Sequence, residues 1–154
     1  MTKSSNLAHT LALALGILGA TPALAGYVEP QLVARPLTVP HKVVYHFNTK
    51  DAPRLHNLLG NIQNHLKSTE GQAEIHLVIH NDAVWLLQDP TPEIRKRLDE
   101  LRERNVNINV CNTSLKGRDI DWHSLYGVKE SDLVASGVAT VADLQMRGYA
   151  YLKP

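Results

Sequence analysis

Val106-Asn107-Ile108-Asn109-Val110-Cys111 alternates apolar and polar side chains without a break. A period of two marks a β-strand, with Val106, Ile108 and Val110 on one face and Asn107, Asn109 and Cys111 on the other. Cys111 is the single cysteine of the 154-residue chain, and it stands at the strand's carboxyl end. Asn112, Thr113 and Ser114 follow and read as a turn. Upstream, Thr91-Pro92 is a helix start, threonine as cap and proline in the first turn. Ile94, Leu98 and Leu101 then form the buried stripe of a helix that ends near Asn105.

The same pattern extends in both directions. Residues 41–48 are β-branched and aromatic and predict a first strand. Asp51 caps a helix with Pro53 in its first turn, and Leu55, Leu58, Leu59, Ile62 and Leu66 share one face. Gly71 interrupts. Residues 73–81 give a second strand and 83–87 a short helical turn. Beyond Cys111, 121–126 predict a short helix closed by Gly127, and 133–136 a short strand. Residues 138–146 predict a helix with Val141 and Leu144 inward, and 149–152 a last strand. Strands that alternate with helices need crossover connections and a mainly parallel sheet. The expected fold is α/β: a three-layer, flavodoxin-like sandwich with about five strands.

Composition narrows the function. The formal net charge is +1, with no long basic block, and aromatic residues make up 5% of the chain. Nucleic-acid binding therefore lacks both its electrostatic and its stacking signature. Near the amino end, Lys3 precedes an apolar run over residues 7–20, and Ala23-Leu24-Ala25 supplies a small-x-small cleavage pattern. Residues 1–25 read as a secretory signal peptide, with export to the periplasm or beyond and no stable membrane insertion after cleavage. The run is short for a membrane span and is interrupted by His9 and Thr10. Residues 26–40, with Pro30, Pro36 and Pro40, read as an extended arm, and residues 41–154 as the domain.

Ligands of open α/β sheets bind beyond the carboxyl ends of the strands. Here those ends are His46, then His80-Asn81, then Cys111-Asn112-Thr113. If the three strands are neighbours, two imidazoles and one thiol converge. A lone cysteine is either a small buried hydrophobe or a nucleophile whose thiolate is favoured by nearby donors and positive charge. The backbone N–H groups and hydroxyls of Asn112, Thr113 and Ser114 would hold a sulfur anion. Lys116 and Arg118 add positive potential, and a protonated His46 or His80 would favour the anion further. No zinc spacing, Gly-x-Ser-x-Gly elbow, phosphate loop or dinucleotide fingerprint occurs. The loop 48–53 has an acidic residue and no glycine, so FMN is not expected. Cys111 with His46 and His80 is chemically a soft metal set, but no metal or other cofactor is required.

The order of several short motifs resembles the DsrE/DsrF-like family, in particular its small exported or stand-alone members. They are Lys42-Val43-Val44-Tyr45-His46, Asn61-Ile62-x-Asn64-x-Leu66 and Glu74-Ile75-x-Leu77-Val78-Ile79-His80. Asn107-x-Asn109-Val110-Cys111-x-Thr113-Ser114-Leu115 follows, then Ser136-Gly137-Val138-Ala139-x-x-Ala142-x-Leu144-Gln145 and Gly148-Tyr149-Ala150-Tyr151-Leu152-Lys153-Pro154. The resemblance implies a homo-oligomer, trimer or hexamer. It also implies a role for Cys111 as a persulfide carrier between a donor and an acceptor protein. Asn81 departs from the glycine that commonly follows the strand-ending histidine, but asparagine tolerates left-handed backbone. The alternative to a sulfur carrier is a non-enzymatic binding or assembly protein that holds a metal or small ligand.

Overall fold

The computed structural model describes residues 37–154. The expected signal peptide and the arm up to residue 36 lie outside the described residues. Five strands form one sheet in the order β4-β3-β2-β1-β5, and every pairing is parallel. They are β1 His41–Phe47, β2 Ala73–Ile79, β3 Asn107–Cys111, β4 Leu133–Val134 and β5 Ala150–Leu152. The helices are α1 Ala52–Ser68, α2 Pro92–Glu103, α3 Asn112–Lys116 and α4 Gly137–Met146.

Local chemistry sets the boundaries. The Asp51 carboxylate accepts the Arg54 N–H at 3.0 Å and the Thr91 hydroxyl accepts that of Ile94 at 3.3 Å. Each satisfies a donor that the first helical turn leaves free. α1 unwinds through Glu70 and Gly71, both at positive φ, and α4 is stopped at Gly148 with φ 88.

Strand alternation divides the interior into two layers. Val43, Tyr45 and Phe47 of β1, Ile75, Leu77 and Ile79 of β2, and Ile108 and Val110 of β3 pack with the apolar stripes of α1 and α2. On the opposite face Val44 and Val78 pack with Val141, Leu144 and Tyr149 of the α4 region. Burying one such aliphatic side chain stabilises the fold by about 1.5–3 kcal/mol, so the larger layer dominates. The smaller layer leaves the far face of β1–β3 to polar residues, and His46, His80 and Cys111 lie on that face.

Two elements differ from expectation. Residues 112–116 form a helical turn, α3, rather than a loop. Asn, Thr and Ser compete with helix formation locally, yet Leu115 must return to the core, where it is 1% exposed. Residues 121–126 contain only a single tight turn, Trp122–Ser124, capped by the Asp121 carboxylate. Among the described residues no helix is long and apolar enough to cross a membrane.

Candidate functional site: a caged thiol at the carboxyl edge

Because all strands run one way, their carboxyl ends share an edge. Phe47 is in register with Ile79, Ile79 with Val110, and Cys111 with Val134. Cys111 is 4% exposed, but its surroundings are not simply aliphatic. Burial pushes its thiol pKa up. Against that, the Ser114 hydroxyl and then the backbone N–H groups of Gly137, Ser114 and Thr113 favour the anionic form, and the net effect is a lowered pKa. Thr113 and Ser114 belong to α3 and Gly137 opens α4, so the sulfur lies where the amino-terminal ends of both helices meet. Donors of this kind favour the anionic form.

The cage is fastened from outside. The Asn81 N–H donates to the Ser114 Oγ at 2.7 Å, which occupies one lone pair of the hydroxyl and holds it in place. Asn81 has φ 54. Its side-chain oxygen accepts from Arg118, and Arg118 also holds the Asp82 carboxylate at 2.6 Å and reaches the Ser114 carbonyl at 3.3 Å. On the other side, the Thr113 hydroxyl donates to the Ala135 carbonyl at 2.7 Å, tying α3 to the segment that delivers Gly137.

His80 stands beside Cys111. A Cβ built on Gly137 would lie 2.8 Å from the His80 Cβ and 3.2 Å from the Cys111 Cβ. Glycine is thus required for close approach. His46 stands one strand further away. Its Nε2 meets His80 Nε2, the rings stack at 4.6 Å, and its Nδ1 bonds the Tyr151 hydroxyl at 2.7 Å. β1 is the strand at which chain order reverses, with β2 on one side and β5 on the other, where α/β sheets hold ligands. A cavity of about 250 Å³ opens there, lined by His46, Val138, Val141, Gln145 and Tyr151. The larger hollow of about 590 Å³ lies along the outer side of α1 by Arg97 and contains no nucleophile.

Three expectations change. Asn112 is the first residue of α3 and is not among the donors to sulfur, and Thr113 contributes its backbone rather than its hydroxyl. A cationic histidine is not what favours the thiolate. Burial, then His80, then Lys153 lower the His46 pKa to about 4. Burial, then Lys153, then Arg118 lower that of His80. Both rings are neutral at neutral pH. In the sequence Gly137 lies between the expected strand 133–136 and the expected helix 138–146, and Tyr151 lies in the expected last strand; neither position carries a local signal for the site. Among the described residues no group of three or more His, Cys, Asp or Glu side chains could hold a metal.

Fold and site together define a small parallel α/β protein with one thiol held in a donor cage at the sheet's carboxyl edge. The model of the DsrE/DsrF-like family matches residues 41–154, and the chain belongs to that family, which is associated with sulfur relay. Solved structures similar to the chain include the following two. One is the protein of unknown function MTH1491 from Methanobacterium thermoautotrophicum, with 26% identity, TM-score 0.66, and coverage of 75% of this chain and 100% of that one. The other is the ychN protein from E.coli, at 20% identity and TM-score 0.58, with the same coverage, and its likeness is one of fold. No curated protein matches the chain.

Two outcomes follow from this geometry. Gly137→Ala forces a methyl group against the His80 and Cys111 backbone-proximal atoms, and is expected to cost about 1–3 kcal/mol in chemical denaturation. The depressed His46 pKa means that the unfolded chain binds more protons than the folded one between about pH 6.5, its ordinary value, and about 4. Its contribution to stability is complete above that window and is lost as pH falls through it. Denaturation midpoints measured across the window are expected to fall less steeply in His46→Gln than in the wild type.

Proposed function

We propose that this protein is an exported sulfur carrier, or sulfurtransferase-like protein, that holds sulfane sulfur as a persulfide on Cys111. The donor cage around the sulfur carries this reading. An inert buried thiol needs no hydrogen-bond donors, whereas a thiolate or persulfide anion does. The family's association with sulfur relay supports the same role.

In the reaction, the Cys111 thiolate attacks the outer sulfur of a donor R–S–SH. The donor's S–S bond breaks as the bond to Cys111 forms. R–S⁻ leaves and takes the proton of the transferred sulfur, which remains as an anion on Cys111. One S–S bond is lost and one gained, so no external oxidant enters. Before the attack His80, neutral and adjacent, accepts the proton of the Cys111 thiol, while Thr113, Ser114 and Gly137 hold the charge. Residues 1–25 direct export, and assembly as a trimer or hexamer follows the family resemblance. The second reading, a binding protein without transfer chemistry, draws on the cavity beside His46 and Tyr151.

Mass spectrometry after incubation with a small persulfide donor is expected to show one added sulfur on Cys111. The addition is reversed by a reductant, absent in Cys111→Ser and slower to form in Ser114→Ala. A thiol that stays unmodified and resists alkylation would reject the carrier reading in favour of the binding protein.

A further inference from the structure

At the amino end of β1, away from Cys111, lies a second histidine pair. His41 Nδ1 and His65 Nε2 are 2.7 Å apart, with ring centroids 5.0 Å apart at 75°. His41 opens β1 and His65 lies in the last turn of α1. Behind them, the Tyr45 hydroxyl bonds His65 Nδ1 at 2.9 Å. Tyr45 is 3% exposed, and both imidazoles reach the surface.

We propose that His41 and His65 form a binding site for a late first-row divalent cation, Zn²⁺ or Cu²⁺, independent of the thiol site. When the Tyr45 oxygen accepts from His65 Nδ1–H, the His65 Nε2 lone pair faces His41 Nδ1, whose N–H donates to it in the metal-free protein. With His41 in its Nε2–H tautomer both lone pairs converge on one point, and a divalent cation replaces the hydrogen bond. A hydrogen bond behind the ligating imidazole, fixing tautomer and ring plane, is the usual support of a metal-bound histidine. Imidazole suits zinc and copper, with copper the tighter. With each nitrogen about 2.0–2.1 Å from a tetrahedral zinc, the two nitrogens sit about 3.3 Å apart. Small side-chain rotations open the present gap to that distance. Two protein ligands leave the remaining positions to water, which makes the site exchangeable rather than a closed structural shell.

The similar pair His46–His80 is the poorer seat. Burial comes first at both its rings, as it does at His65, but Lys153 also opposes positive charge at both, and Arg118 at His80. At His65, burial and then His41 itself are what oppose it.

The test is calorimetric titration of Zn²⁺ into the untagged protein under reducing conditions. Variants are His41→Gln, His65→Gln, Tyr45→Phe and the double variant His46→Gln/His80→Gln. The expected result is one zinc bound per chain, unchanged in the double variant. Binding should weaken at least about tenfold in His41→Gln and in His65→Gln, and about tenfold in Tyr45→Phe, as loss of an outer-shell partner does. Failure to bind zinc at millimolar concentration, affinity unchanged in both single histidine variants, or loss confined to the double variant would overturn the proposal. If either glutamine variant fails to fold, the other decides.

Discussion

The structure turns on the polar surroundings of one buried sulfur. Removing a thiolate from water costs free energy, and a buried cysteine with nothing to hold its charge stays protonated. Here the Ser114 hydroxyl and the N–H groups of Thr113, Ser114 and Gly137 offset burial and reverse its effect. The elements around β3 serve that arrangement. α3 begins immediately after Cys111, α4 is aimed back at it, and Thr113 links the two through Ala135. The donors come from backbone and from a single hydroxyl, so their positions are fixed by the fold rather than by flexible side chains.

The electrostatics of the surrounding edge are consistent with the cage. Burial comes first in disfavouring charge on both imidazoles, followed by His80 and Lys153 at His46 and by Lys153 and Arg118 at His80. The imidazoles remain proton acceptors. Arg118 has a further mechanical part, since it joins Asn81, Asp82 and the Ser114 carbonyl. In that way the loop after β2 is tied to the helix after β3. The left-handed Asn81 survives in this chain because its side chain is tied down.

The fold was readable in the sequence because its signals are local. The alternation of residues 106–111, the caps Asp51 and Thr91, and the stripes of α1 and α2 each depend on neighbours a few residues apart. The convergence of His80 and Cys111 followed from the parallel sheet and the rule for its carboxyl edge. Contacts between distant segments were not readable. Nothing in Ser136-Gly137 announces that this glycine must fit against His80, and nothing in Tyr151 announces a bond to His46. Asn112 was assigned to the sulfur because it adjoins Cys111 in sequence. The helical turn that buries Leu115 instead presents the next two residues.

The most direct test of the account is the ionisation of Cys111 itself, followed by the ultraviolet absorbance of its thiolate as pH is raised. With a single cysteine in the chain the thiolate has one source, and the Cys111→Ser variant subtracts the absorbance of the ionising tyrosines. The account predicts a midpoint below that of an ordinary thiol, about 8.5. A midpoint at or above that of a free cysteine would mean that burial prevails over the cage, and would contradict the account.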